Sequence, residues 1–248
     1  MNPVPSVVDQ KKYEALDFFI RYLLADEVRK SVAKIILFGS LAEGRAEEES
    51  DIDLFIVALD DLPAVSRRCA EASLETTLRY GEQVEPIVGC VDRYLRDDSY
   101  FFHQVLRGGE EVYTVEEEEI RRGQARAFLL LAIEYLKQSR SNLELGNYRL
   151  LVDGAYNAAE LSAKGLLVLK GEAIPWRHGG LIQRFSELYI KSGELSREIG
   201  RGLNRGLELR NRARYEYHTE ITRQDAEEVL ALAEELVEAL EDRLMVEA

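Results

Sequence analysis

Two aspartates one residue apart, Asp51 and Asp53, close a segment that opens with Gly39-Ser40 behind the apolar run Ile35-Ile36-Leu37-Phe38. Side chains two residues apart on an extended strand point to the same face, so the two carboxylates can hold one cation between them. A glycine at the end of the apolar run lets backbone N–H groups come close to a phosphate. Ser40 is placed to cap a following helix and to add a hydroxyl donor. A phosphate cradle and a cation site thus share one short segment. The plainer alternative is a turn followed by exposed strand residues, but acids alternating along an apolar strand repel each other unless a cation lies between them.

The elements that must position these residues follow from periodicity. Residues 9–24 carry Tyr13, Leu16, Phe19, Ile20, Leu23 and Leu24 at helical spacing, which predicts an amphipathic opening helix. Residues 31–38 and 51–57 read as core strands. Pro63 belongs in the first turn of a helix over 64–80. A third strand is expected over 83–88, with Glu85 as its one acid and Pro86 marking an edge or a bulge. A helix over 92–106 and a short strand at 111–113 complete this half. The acidic run 116–119 suits the start of a long helix, and a domain boundary is placed near Val115.

With its strands assigned, this half resembles the minimal nucleotidyltransferases of the polymerase-β-like superfamily. Gly39, Ser40, Ala42, Gly44, Ser50, Asp51 and Asp53 all stand where that family's pattern wants them. The resemblance implies a mixed-sheet fold, a nucleoside triphosphate substrate such as ATP, and two Mg²⁺ ions held by Asp51, Asp53 and a third carboxylate from a neighbouring strand. Glu85 fits that third position, where the family usually has aspartate. Gly39 and Ser40 would hold the β- and γ-phosphates. Where the family commonly carries a basic residue this chain has Glu43, and Arg45 is the residue that could reach a phosphate instead. The implied reaction moves a nucleoside monophosphate to a hydroxyl on a protein or RNA acceptor.

The second half reads as helices over 120–143, 148–169, 181–191, 195–217 and 222–245, with Thr222 and Asp225 spaced as a capping box. The run Arg210-Asn211-Arg212-Ala213-Arg214-Tyr215 before Thr222-Arg223-Gln224-Asp225-Ala226 resembles the HEPN domains, as do residues 148–170 followed by His178-Gly179. That resemblance implies a helical bundle, a homodimer formed through it, and a ribonuclease site drawn from Arg210, Asn211, Arg212 and His218. Arg210 has a polar neighbour, whereas Arg212 has the closer spacing to His218; His218 can equally be a surface residue at a helix end, where a cation is favoured. His178 reads as a loop or cap residue. Arg197, Arg201 and Arg205 form either an RNA track or a face neutralised by Glu194, Glu198 and Glu208. In this family pair a transferase can modify a tyrosine two places beyond the histidine; here that place is Glu220, with Tyr215 and Tyr217 just before His218.

The two resemblances together imply an α+β chain, a nucleotidyltransferase domain over 1–115 fused to an all-α HEPN domain over 116–248, of the kind found in toxin–antitoxin pairs. Bulk properties agree with a cytoplasmic enzyme away from membranes. The 248 residues are 46% hydrophobic and 31% charged, and no apolar run approaches a membrane span. Cys69 and Cys90 form no CxxC pair. The net charge of −14 comes almost entirely from residues 1–120, with 26 acids against 13 bases, which disfavours loose nucleic-acid binding there. Three function classes remain: a transferase, a HEPN ribonuclease regulated by the first domain, and a non-catalytic nucleotide-binding regulator.

Overall fold

Four strands rich in branched residues make the frame of the first half. They follow and alternate with helices α1 (Val7–Leu23), α2 (Gly39–Ala42) and α3 (Leu62–Tyr80). The strands β1 (Val32–Phe38), β2 (Ile52–Ala58), β3 (Val84–Cys90) and β4 (Glu110–Thr114) lie in the order β3-β2-β1-β4. β1 pairs antiparallel with β2 and β4, while β2 and β3 run parallel, so the sheet is mixed. Two parallel neighbours need a crossover, and α3 supplies it. Pro86 sits on β3, an edge strand, where a missing N–H is tolerated. The computed structural model describes residues 7–91, 105, 108–175 and 177–246. The helix expected over 92–106 lies almost wholly outside them.

Both faces of the sheet are covered, which is why β1 and β2 read as near-continuous apolar runs. On one face Ile35, Leu37, Leu54 and Ile56 pack with Leu16, Phe19 and Leu23 of α1 and with Val65, Cys69 and Ala72 of α3. On the other, Ile36, Phe55 and Val57 pack with Val91, Val105 and Ile120. Burying each large side chain contributes about 1.5–3 kcal/mol before entropy is counted. Cys69 is a core residue whose thiol is pushed up to about 12 by burial, and both cysteines are free.

The second half is helical. α4 (Glu117–Glu144), α5 (Tyr148–Leu169), α6 (His178–Phe185), α7 (Arg197–Tyr215) and α8 (Arg223–Val246) bury one contiguous core. Small residues on α5 allow close approach: a Cβ on Gly165 would stand 2.7 Å from Leu240 of α8. The helix expected over 181–191 instead starts at His178 and passes into a π-helical stretch, Ser186–Ile190, whose Tyr189 hydroxyl donates to the Leu166 carbonyl at 2.6 Å. α7 starts later than expected because Ser196 caps it, accepting from the Ile199 N–H, and it ends before the extended Glu216. Thr222 and Asp225 bond each other's backbone N–H as a capping box should. By its contacts the chain divides into two units, Met1–Gly123 and Gln124–Ala248, with the division inside α4. Among the described residues no helix is long and apolar enough to cross a membrane.

Candidate active site

The acids of the first unit sit where β1, β2 and β3 end together. Asp53 follows the period-two alternation of Phe55 and Val57, so it shares their face at the end of β2. The sheet pairs Asp53 with Phe38 of β1 on one side and with Glu85 of β3 on the other. Asp51 precedes the first residue of β2 and is partly buried. Burial first, then the charges of Glu85 and Asp51, raises the Asp53 carboxyl above its ordinary value. The Glu85 side chain is exposed and accepts from Gln83 Nε2 at 3.1 Å.

Gly39 explains why the motif needs glycine. Its φ is +74°, and a Cβ there would stand 2.1 Å from Asp53 Oδ2. The carboxylate occupies the space that any other residue at 39 would fill. Ser40 is not the helix cap: α2 begins at Gly39, and Phe38 precedes it without a side-chain bond, because the left-handed glycine starts the turn one residue early. Arg45 is exposed and ion-paired with Glu43, so in this structure it is directed at its neighbour.

Three oxygen ligands on one face are a donor set suited to Mg²⁺, and the raised Asp53 carboxyl marks a place where negative charge is in excess. Among the described residues, however, no three His, Cys, Asp or Glu side chains are gathered closely enough to hold an ion as they stand. Bringing three carboxylates into one coordination sphere requires a cation to offset their repulsion.

Sequence reasoning missed the device beneath this site. Lys12 of α1 is fully buried, and its Nζ donates to the carbonyls of Ser50 (2.6 Å) and Glu48 (3.2 Å) and to Glu82 Oε2 (2.6 Å). Its signal was there: Lys12 continues the stripe Leu16, Phe19, Leu23, a lysine where the pattern asks for an apolar residue. Burial raises the Glu82 carboxyl, but hydrogen bonds from Lys11 and Lys12 outweigh it and leave it below its ordinary value.

In the second unit the four suspected residues do not form one site. Arg210 is buried on α7, with Nε 3.6 Å from Asp153 Oδ1 of α5, and Asn211 Oδ1 accepts from its Nη1. Arg212 stands 4.0 Å from Glu208. His218 is exposed in the turn after α7, edge-on to Tyr217. It lines an open depression of about 520 Å³ with Tyr148, Arg149, Tyr217 and Glu220. Arg149 donates to the carbonyls of Arg212, Ala213, Glu216, Tyr217 and Thr219, so it fixes the His218 turn to α5. His178 is not a bare loop residue; it opens α6 with Nδ1 2.7 Å from Glu160 of α5. The arginine stripe is salt-bridged: Arg201 to Glu198, and Arg205 to Glu208 and Asp225.

Comparison with known proteins divides the chain in two. A model described as polymerase beta, nucleotidyltransferase matches residues 22–118, and one described as HEPN domain matches 125–243. A protein of Methanocaldococcus jannaschii provisionally named a protein adenylyltransferase is 36% identical over 91 residues, which are 36% of this chain and 87% of that protein. The chain belongs to the polymerase-β-type nucleotidyltransferases, joined to a HEPN domain. A second protein of the same organism, provisionally named a toxin, is 30% identical over 123 residues, 50% of this nucleotidyltransferase–HEPN chain and 90% of that protein. A spectinomycin adenyltransferase from Enterococcus faecialis, solved with ATP and spectinomycin, aligns with 92% of the nucleotidyltransferase–HEPN chain and 99% of its own at 12% identity and a TM-score of 0.34.

Proposed function

We propose that the first unit is a Mg²⁺-dependent adenylyltransferase, moving AMP from ATP to a hydroxyl on a protein or RNA acceptor. The observation that carries this is the close approach of Gly39 and Asp53, with Glu85 paired to Asp53 across β2 and β3. It joins the phosphate-binding turn to the acidic cluster in one contact. The relative named as a protein adenylyltransferase supports adenylyl as the group and protein as an acceptor. In this reading Gly39 and Ser40 hold the β- and γ-phosphates, and Asp51, Asp53 and Glu85 hold two Mg²⁺ ions. When bound, the ions neutralise the triphosphate and lower the pKa of the acceptor hydroxyl. The α2 turn fixes the triphosphate so that the acceptor oxygen attacks the α-phosphorus in line and pyrophosphate leaves. Arg45, once released from Glu43, is long enough to add charge to the phosphate side. Residues 1–115 are assigned to this domain and 116–248 to the HEPN bundle, which we take to form a homodimer.

Tyr217 and Tyr215 are 93% and 74% exposed beside the depression that His218 lines, and they supply candidate acceptor hydroxyls on the chain itself. A ribonuclease reading of the second unit has support in the anchored, exposed His218. Burial of Arg210 against Asp153 leaves Arg212 as the arginine for that reading. Incubation with each α-labelled nucleoside triphosphate and Mg²⁺, in parallel with Asp51→Asn, tests the transferase. Label from ATP on protein or RNA that disappears in the variant is the expected result. No label from any nucleotide with either acceptor class overturns it.

A further inference from the structure

The segment that presents Asp51 and the one that presents Glu85 are separate in sequence, yet one buried ammonium holds both. Lys12 Nζ bonds the carbonyl oxygens of Glu48 and Ser50, the last turn of the loop before Asp51. The same nitrogen bonds Glu82 Oε2, three residues before Glu85. Lys11, half exposed, bonds the other Glu82 oxygen at 2.8 Å. Two further bonds tie the junction together: the Ile52 N–H donates to the Gln83 carbonyl at 2.9 Å, and Thr77 Oγ1 donates to the Glu82 carbonyl at 3.0 Å.

A buried lysine needs a partner, but one carboxylate would satisfy that need. Lys12 uses its remaining hydrogens on two backbone carbonyls of the loop that delivers Asp51. Loop 43–50 is polar, mostly exposed and without apolar anchors apart from Ala46 at its middle. Its C-terminal end is therefore held by hydrogen bonds, and Lys12 is the side chain from another element that supplies them.

We propose that Lys12, with Glu82, is a positioning residue for the carboxylate site, setting the separation of Asp51 from Asp53 and Glu85 and so the affinity for the divalent cation. The inference rests on the transferase reading of those carboxylates. Lys12 touches neither nucleotide nor ion; it acts through the backbone of residues 48–50 and 82–83. Residues that orient ligands from behind in this way change metal affinity about 10- to 100-fold when removed.

Lys12→Met alone strands Glu82 as a buried charge and can unfold the protein, so the informative variant is Lys12→Met with Glu82→Met. It keeps the net charge and fills the same volume, and replacing a buried ion pair by apolar residues is often neutral for stability. Lys11, already half exposed, passes to solvent. Mn²⁺ serves as the probe, its binding to the full-length protein measured by electron paramagnetic resonance with and without ATP, alongside thermal melting and Asp51→Asn. The expected result is a double variant that melts like wild type but binds Mn²⁺ at least about tenfold more weakly, with a matching rise in the Mg²⁺ concentration needed for half-maximal transfer. A folded double variant with wild-type Mn²⁺ affinity, while Asp51→Asn has lost binding, overturns the role of Lys12 and leaves the transferase reading intact. Wild-type protein that binds no Mn²⁺ even with ATP overturns both.

Discussion

At residue 39 backbone conformation and chemistry meet. Gly39→Ala would place a methyl group on Asp53 Oδ2 and force a left-handed φ on an L-residue, at about 1–2 kcal/mol for the backbone alone. Displacing Asp53 by even about 1 Å is expected to lower transfer roughly a hundredfold, in an assay that follows labelled AMP. Asp53→Asn should abolish transfer yet raise the melting temperature measured without divalent ions. The raised Asp53 carboxyl favours folding while it is protonated, and that contribution is lost as pH rises through its folded value. At neutral pH the ionised group therefore opposes folding, and an amide removes the penalty. A lower melting temperature for Asp53→Asn in EDTA would refute this. Asp51, Asp53 and Gly39 were legible because type and spacing alone carry the chemistry. Lys12 and Arg149 were not, because what they bind is backbone from distant segments, and no spacing rule reports that.

At the scale of elements, strand and helix identities followed from periodicity, and boundaries moved where a local bond competed with it. Ser196 starts α7 late, and Gly39 starts α2 early. The His218 turn shows how much a single anchor carries: one guanidinium from α5 satisfies five carbonyls from 212 to 219. Arg149→Met should free that turn while sparing α5, whose core residues Leu151, Val152, Ala155 and Tyr156 are fully buried. Hydrogen exchange is expected to quicken at least about tenfold over 214–220 and to stay slow along 155–166. Unchanged exchange at the turn would mean that capping of α7 suffices without Arg149.

At the scale of the whole molecule, each unit has a core of its own. Leu240 is fully buried in the helical one. Leu240→Ala should cost about 2–5 kcal/mol there, seen as faster exchange through α5, α7 and α8, while β1 and β2 keep their protection. Loss of protection in the strands would mean the units fold as one. The bipartite organisation was visible in the sequence as a change of period, from strands among helices to helices alone. The point of division was not, because α4 runs through it without a turn. That continuity bears on kinetics. Two separate proteins must find each other, and their ratio drifts with expression. A helix that leaves one unit and enters the next keeps them at one to one and at an effective concentration set by the linkage. Dilution, which would part a bimolecular pair, leaves this one assembled.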